Sequence, residues 1–172
     1  TCCPKSAARP LRQAKPRARQ ARANAKRQQA LTALDFHSDV QQPLHYAARL
    51  VRKASQLKQP LVLLCHSEQL DALEEAITAL DKASLVPMGR QGAPAAVVDR
   101  SLILVAHDAQ AIPARGWLVN LTQTWPAGFE AFEKVIEVIA TDEASVQAGR
   151  ERWAHYKSKG YPLAHRKTPA NA

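Results

Sequence analysis

Leu61-Val-Leu-Leu-Cys65 is an unbroken apolar run that follows Pro60 and precedes a helical pattern beginning near Ser67. A short run of this kind, with no polar residue at alternate positions, is typical of a parallel strand buried on both faces. After Ser67, which can serve as an N-cap, apolar residues recur at helical spacing: Leu70, Leu73, Ile77 and Leu80. A buried strand followed by a covering helix is the repeating unit of α/β folds.

The same alternation extends in both directions from this run. Upstream, a strand over 31–36 leads through Pro43 into a helix whose apolar face is formed by Leu44, Ala47, Ala48, Val51 and Ala54. Downstream, apolar segments predict strands near 85–88, 97–98, 102–106, 117–121 and 135–139, with a short helix at 129–132 and a last helix from about 142 to 159. We therefore expect one Rossmann-like α/β domain over 31–166, with a mostly parallel sheet and helices on both faces.

The net charge of +9 is concentrated at the N-terminus. Residues 1–30 contain nine basic residues and no acidic one, whereas the rest of the chain has fifteen of each. This arm is rich in Ala, Arg, Gln and Pro, so we expect it to be disordered or partly helical, and we expect 167–172 to be a flexible tail. The arm is either a sequence-independent tether to nucleic-acid phosphates or an extension without an evolved role.

The cysteines and histidines suggest neither a disulfide framework nor a metal site. Cys2 and Cys3 are adjacent, and Cys65 stands alone in its apolar run, which indicates a reducing, cytoplasmic setting. The six histidines lack metal-binding spacing, and no glycine-rich turn follows the first strands. We expect no metal, no cofactor and no membrane span.

Two polar segments follow predicted strands and permit an enzymatic hypothesis. Cys65-His66-Ser67 and His107-Asp108 lie where α/β folds bind ligands, so a small thiol or hydrolase-type enzyme using Cys65 or His107 is conceivable. Neighbouring residues on a strand point to opposite faces, so Cys65 and His66 cannot meet directly. A buried cysteine and a histidine at a strand end are the simpler interpretation.

The last predicted helix has clear end signals. Thr141 is placed to be its N-cap, Gly160 to adopt the left-handed conformation after it, and Pro162 to prevent its continuation.

One flank of this helix carries Arg150, Trp153 and Lys157, with Tyr156 beside them. A guanidinium next to exposed aromatic surface can bind a carboxylate and an apolar group together, as a docking site for an acidic peptide end requires. The alternative is that Trp153 and Tyr156 form the buried face of the helix.

Several segments, taken in order, resemble the chi subunit of bacterial DNA polymerase III holoenzyme. The most specific is Gln147-Ala-Gly-Arg-Glu-Arg-Trp-Ala-His-Tyr-Lys-Ser-Lys-Gly-Tyr161, which is similar to the family's alanine-arginine-glutamate-arginine-aromatic signature with a tyrosine three residues later. Supporting segments are Leu34-Asp-Phe-His37, 43–54, Leu85-Val-Pro87 and 129–138. The resemblance spans Leu31 to about Leu163.

The resemblance implies a non-catalytic accessory subunit in DNA replication, with the nucleotidyltransferase activity belonging to the holoenzyme. Chi subunits bind the acidic C-terminal tail of single-stranded DNA-binding protein, which ends in a phenylalanine preceded by a proline. The resemblance assigns Arg150 to the terminal carboxylate and places Trp153 and Tyr156 beside the phenylalanine ring. Some members carry a second basic residue directly after the aromatic, where this chain has Ala154, so Lys157 or Arg152 would have to substitute.

The resemblance also implies pairing with the psi subunit, which links chi to the clamp loader, so that contact with DNA is mainly indirect. The psi-binding segment would be Leu85, Val86 and Pro87, with Leu85 in place of an aromatic residue. A repair helicase shares this surface in some relatives and is therefore a further partner that the resemblance admits.

Three classes of function follow from the sequence. They are the replication adaptor, a nucleic-acid-binding protein that acts through residues 1–30, and the thiol or hydrolase-type enzyme. Deletion of residues 1–30 separates the first two, and replacement of Cys65 is silent for an adaptor but not for a thiol enzyme.

Overall fold

The computed structural model describes residues 32–80 and 87–168. Its strands and helices alternate as the sequence predicts. In chain order they are β1 (Ala33–Val40), α1 (Pro43–Gln56), β2 (Leu61–Leu64), α2 (Leu70–Leu80), β3 (Met88–Arg90), α3 (Ala95–Arg100), β4 (Ile103–Ala106), β5 (Trp117–Asn120), β6 (Lys134–Ala140), α4 (Glu143–Ser158) and β7 (Leu163–Lys167). Short 3-10 helices occupy Ser67–Gln69, Ala109–Ala111 and Phe129–Ala131.

The seven strands within residues 32–80 and 87–168 form one parallel sheet in the order β3-β4-β2-β5-β6-β1-β7, so β3 and β7 are its edges in this part of the chain. One core layer packs α1 and α2 against the sheet, and the other packs α3 and α4 against the opposite face. The predicted α/β class with helices on both faces is confirmed. Within the described ranges, the helices lack the combination of length and apolar character that crossing a bilayer requires.

Strand β2 lies in the middle of the sheet and shows why the apolar run decides the fold. Leu61 and Leu63 belong to the layer with α1 and α2, whereas Val62 and Leu64 belong to the layer with α3 and α4. Burying each of these side chains contributes about 1.5–3 kcal/mol. The apolar residues at every position of β2 therefore stabilise both layers of the core.

Two strand predictions were wrong, one in the type of element and one in where the strand ends. The valines at 97–98 lie in helix α3, where Pro94 O accepts hydrogen bonds from both valine backbone N–H groups. Only Val98 faces the core, while Val97 is exposed, because helical rotation turns adjacent residues to different sides. Strand β1 runs on to Val40, past an irregularity at Asp39, whose φ is 62°.

Strand β7 was not predicted. It pairs in parallel with β1, from Leu34 opposite Leu163 to Ser38 opposite Lys167, and the Thr168 N–H donates to Ser38 O at 2.9 Å. The ordered domain therefore continues two residues past the predicted boundary at 166. The rest of the predicted tail, 169–172, and the arm at 1–30 lie outside the described residues.

The capping residues of helix α4 are as predicted at its C-terminal end and lie one residue later than predicted at its N-terminal end. Its N-cap is Asp142 rather than Thr141, because the Asp142 carboxylate accepts a hydrogen bond from the Ser145 N–H at 2.8 Å. At the other end, Gly160 has a φ of 79°, as predicted, and its N–H donates to Lys157 O.

A buried polar cluster joins β7 to β1 on the face covered by α1. The Asp35 carboxylate lies 3.0 Å from Lys134 Nζ and 3.1 Å from Arg166 Nε. His37 Nε2 is 3.4 Å from Asp35, and His37 Nδ1 is 2.7 Å from the Tyr46 hydroxyl. Burial lowers the pKa of His37. Burial raises the pKa of Asp35, but Lys134 and His37 outweigh it, and the pKa lies below its usual value.

Candidate functional site

A groove of about 470 Å³ lies between helix α4 and the C-terminal ends of β1 and β7. We call it the tail groove. Apolar and aromatic residues line part of it, and polar residues line the remainder. The first group is Phe36, Ile139, Val146, Gly149 and Trp153, and the second is Ser38, Asp39, Arg150, His165 and Lys167.

Helix α4 supplies its side of the groove through ordinary helical spacing. Val146, Gly149, Arg150 and Trp153 recur at intervals of three and four residues and so share a face. Gly149 lets this face approach β6, because a Cβ there would lie 2.6 Å from Ile139 Cδ1. A larger residue would have to displace Ile139 or the helix, so Gly149 fixes the depth of the groove.

Trp153 is half-buried and forms an aromatic wall. Its ring centroid is 4.9 Å from Phe36 and 6.3 Å from His165, both in edge-on geometry. His165 is in turn held by Ser38, with His165 Nε2 2.9 Å from Ser38 Oγ. The three rings form a continuous aromatic cluster in the groove lining.

Arg150 is exposed on the groove, and no ion pair or hydrogen bond from the described residues engages its guanidinium. An unpaired guanidinium beside aromatic surface can take a carboxylate in a two-bond geometry without first breaking an internal contact. The structure therefore brings together Arg150 and Trp153, two of the four residues predicted to bind the tail.

Tyr156 is not in the tail groove. Its side chain is fully buried, packs 4.9 Å from the Phe129 ring, and donates from its hydroxyl to Glu137 Oε1 at 2.8 Å. Gly149, Arg152 and Tyr156 form the buried stripe of α4, so Tyr156 turns inward while Trp153 remains at the rim. The alternative interpretation of a buried helix face is correct for Tyr156.

Arg152 is also unavailable to a peptide. Its Nε donates to Glu137 Oε2 at 3.0 Å, and a terminal guanidinium nitrogen donates to Gln123 O at 2.7 Å. Asn120 Nδ2 donates to the same carboxylate at 2.9 Å. Burial raises the pKa of Glu137, and Arg152, Tyr156 and Asn120 oppose that rise. This network was not predicted from the sequence, although the acidic Glu137 within the apolar strand at 135–139 indicates a buried partner.

The remaining predicted tail residue, Lys157, is exposed and does not line the groove. The lysine that does is Lys167, on the unpredicted strand β7. Its Nζ lies 3.9 Å from Asp39 Oδ2. Arg150 and Lys167 are therefore the two side chains of fixed positive charge on the groove lining.

Of the predicted psi-binding segment, Leu85 and Val86 lie outside the described residues. Pro87 is exposed, and its carbonyl accepts hydrogen bonds from the backbone N–H groups of Leu102 and Ile103. It directly precedes β3, at the opposite sheet edge from β7. Six strand spacings of about 4.8 Å separate these edges by about 29 Å.

Burial and local hydrogen bonds account for the residues of the enzymatic hypothesis. Cys65 is fully buried, and burial raises the pKa of its thiol to about 11, so the thiol stays neutral at pH 7. The Asp108 carboxylate accepts a hydrogen bond from the Gln110 N–H and caps a turn. His107 lies near Gln91. Within 32–80 and 87–168, no three His, Cys, Asp or Glu side chains are grouped as a metal site would need.

The seven-stranded parallel sheet with helices on both faces defines a Rossmann-like α/β protein. Within that class, the chain belongs to the family described as DNA polymerase III chi subunit, HolC, whose model matches residues 31–164. A relative, DNA polymerase III subunit chi of Pseudomonas aeruginosa, is 26% identical over an alignment of 154 residues. The alignment covers 81% of this chain and 99% of that protein. Family membership makes the chain an accessory subunit of bacterial DNA polymerase III, which acts in DNA replication.

A solved structure shares the fold alone. It is described as S. cerevisiae dbp5 l327v bound to gle1 h337r and ip6, and it matches with a TM-score of 0.51 and 15% identity. The match covers 81% of this chain and 42% of the chain in that structure.

Proposed function

We propose that this chi subunit is an adaptor that binds the acidic C-terminal tail of single-stranded DNA-binding protein in the tail groove and the psi subunit at the β3 edge. The observation that carries the proposal is the pairing of an unengaged Arg150 with the half-buried Trp153 over an apolar floor. This arrangement matches a peptide end that combines a carboxylate with an aromatic ring.

The energetics favour a weak contact. A charge-assisted hydrogen bond from Arg150 to the terminal carboxylate contributes about 1.5–3 kcal/mol, and burial of a phenylalanine ring contributes about 1.5–3 kcal/mol more. The loss of translational and rotational freedom on binding costs several kcal/mol and offsets part of this favourable free energy. A single tail should therefore bind with micromolar affinity or weaker.

Weak binding suits a moving polymerase. Single-stranded DNA-binding protein is multimeric and coats DNA in arrays, so many tails raise the effective concentration at the groove. The charged part of each contact is screened by salt because the groove rim is open to solvent. The adaptor would hold the holoenzyme near its template while individual tails exchange.

The position of the predicted psi segment supports simultaneous binding of two partners. Pro87 lies at the β3 edge, and the tail groove lies beside β7 at the opposite edge. A separation of about 29 Å leaves room for psi on one side and a tail peptide on the other. This arrangement is what a bridge between the clamp loader and coated DNA requires. A repair helicase that used the same β3 edge would compete with psi and leave the tail groove accessible.

The test is a fluorescence anisotropy titration of a labelled acidic peptide ending in Pro-Phe with the full chain. We expect saturable binding that Arg150→Ala weakens at least tenfold while circular dichroism stays unchanged. Lys157→Ala is the matched control, because it removes a charge from the same helix outside the groove. Equal affinities of wild type and Arg150→Ala would rule out the groove as the tail site.

The basic arm supports a second candidate function as a tether to nucleic acid. All nine excess positive charges of the chain lie within residues 1–30. A tether of this kind would bind single-stranded DNA with a steep dependence on salt and without sequence preference. Deletion of residues 1–30 would then abolish binding to DNA and leave peptide binding in the groove intact.

A further inference from the structure

We propose that Lys167 is the second cationic anchor of the tail groove, and that Asp39 is an internal competitor that holds Lys167 when no tail is bound. This inference rests on the proposed function of the groove. It assigns the terminal carboxylate to Arg150 and the acidic residues that precede the terminal phenylalanine to Lys167.

Among residues 32–80 and 87–168, few other cations are placed for this role. Ala154 follows Trp153, Arg152 is buried against Glu137, and Lys157 lies outside the groove. Lys167 lines the groove from β7 and Arg150 lines it from α4, so each of these two elements supplies one cation. A peptide with its last residue at Arg150 that leaves the groove over β7 places its preceding acids next to Lys167.

Backbone pairing fixes the position of Lys167 while leaving its side chain free to move. Lys167 lies opposite Ser38 in the β1–β7 ladder, and the next residue donates its N–H to Ser38 O at 2.9 Å. The side chain is 78% exposed. A flexible four-carbon stem on a fixed backbone can follow a carboxylate to either side of the rim.

Asp39 is positioned by an irregularity in β1. The register between β1 and β6 shifts between His37 and Val40, and Asp39 has a left-handed φ of 62°. An irregularity of this kind re-aims the side chain at a strand end. Asp39 is the carboxylate on the groove lining, and its Oδ2 lies 3.9 Å from Lys167 Nζ.

The Asp39–Lys167 pair is weak enough to be exchanged. Its side chains are 55% and 78% exposed, so the attraction is reduced by solvent and salt. A tail carboxylate can therefore replace Asp39 as the partner of Lys167 at little cost. In the bound state, Asp39 is left near the acidic peptide, and its repulsion lowers the affinity.

The test uses the full chain, anisotropy, and two labelled peptides with the same Pro-Phe end. One carries aspartates before that end, and the other carries asparagines. We expect Lys167→Ala to weaken binding of the acidic peptide about 2–5-fold at low salt and to leave the asparagine peptide within about 1.5-fold. Asp39→Asn should strengthen binding of the acidic peptide about 2–5-fold, and asparagine keeps the left-handed backbone.

The outcomes separate this inference from the proposed function. If Arg150→Ala abolishes binding but Lys167→Ala behaves like Lys157→Ala, the groove is the tail site and Lys167 is not its anchor. If Asp39→Asn weakens binding, Asp39 is a ligand rather than a competitor. If Lys167→Ala weakens both peptides equally, Lys167 supports the fold of the rim rather than the acids. Absence of saturable binding to the wild-type chain overturns both proposals.

Discussion

Replacement of Arg152 by methionine should destabilise the domain but should not weaken binding of the acidic peptide tail in the groove. The change deletes the Nε bond to Glu137 and the bond to Gln123 O, and it leaves the Glu137 carboxylate in a site with no exposed surface. Removing one partner of a buried ion pair costs about 3–5 kcal/mol, because the remaining charge is uncompensated. Tyr156 and Asn120 still donate to Glu137, which favours the lower half of that range.

Urea unfolding followed by circular dichroism measures this loss. For a domain of this size, with an m-value of about 2 kcal/mol/M, a loss of 3–5 kcal/mol lowers the midpoint by about 1.5–2.5 M. The matched control is the double variant Arg152→Met with Glu137→Gln, which removes the charge as well as its partner. We expect the double variant to recover part of the stability that the single variant loses.

Tail binding by the folded fraction of Arg152→Met provides the second readout. We expect it within about twofold of wild type, because Arg152 points into the core and Arg150 is unchanged. A midpoint shift below about 0.5 M would show that the buried pair contributes little to the stability of α4 on the sheet. If the folded Arg152→Met variant lost as much tail affinity as Arg150→Ala, the conclusion that Arg152 has a purely structural role would be refuted.

Two further predictions concern the groove floor and the polar cluster. Gly149→Ala should lower the unfolding midpoint and weaken tail binding, since its Cβ would meet Ile139 Cδ1 at 2.6 Å, and Ile139→Val in the same chain should restore much of the stability. The urea midpoint should also fall as the pH drops from 7 to 5, because His37 has a pKa below 6.5 in the fold, so the unfolded chain binds the proton first. His37→Gln should flatten the profile over this range. The pKa of Asp35 lies below its usual value, so the stability from its ionised form is present throughout this range and is lost only at more acidic pH.

The sequence predicted the central strands, which are covered on both faces, and missed the edge strand β7. Strand β2 at Leu61–Leu64 is apolar throughout because both faces are buried. Strand β7 is Leu-Ala-His-Arg-Lys, and mostly exposed residues at a sheet edge carry no periodic apolar signal. A strand was wrongly predicted at Val97 and Val98, because β-branched residues are typical of strands and two adjacent valines carry no helical periodicity.

Only the helical part of the groove lining was predicted, because helical periodicity is visible in the sequence and contacts between distant segments are not. Arg150 and Trp153 share a helix face, and helical periodicity found them. Tyr156 lies three residues beyond Trp153, so the same periodicity placed it nearby, and only packing against Phe129 and Glu137 turns it inward. Phe36 and Lys167 come from strands that are far apart in sequence, so their meeting at the groove depends on the register of β1 with β7.

The strand order also sets how the protein would respond to mechanical force. A polymerase moving away from coated DNA would pull psi at the β3 edge against a tail at the β7 edge, across six parallel strand pairs in series. Force in this direction opens the hydrogen bonds of one pair at a time instead of loading many pairs together, so the sheet has little resistance to it. A tail bound with only micromolar affinity would detach before any strand pair opens, and the subunit would remain folded through repeated cycles of tension and release.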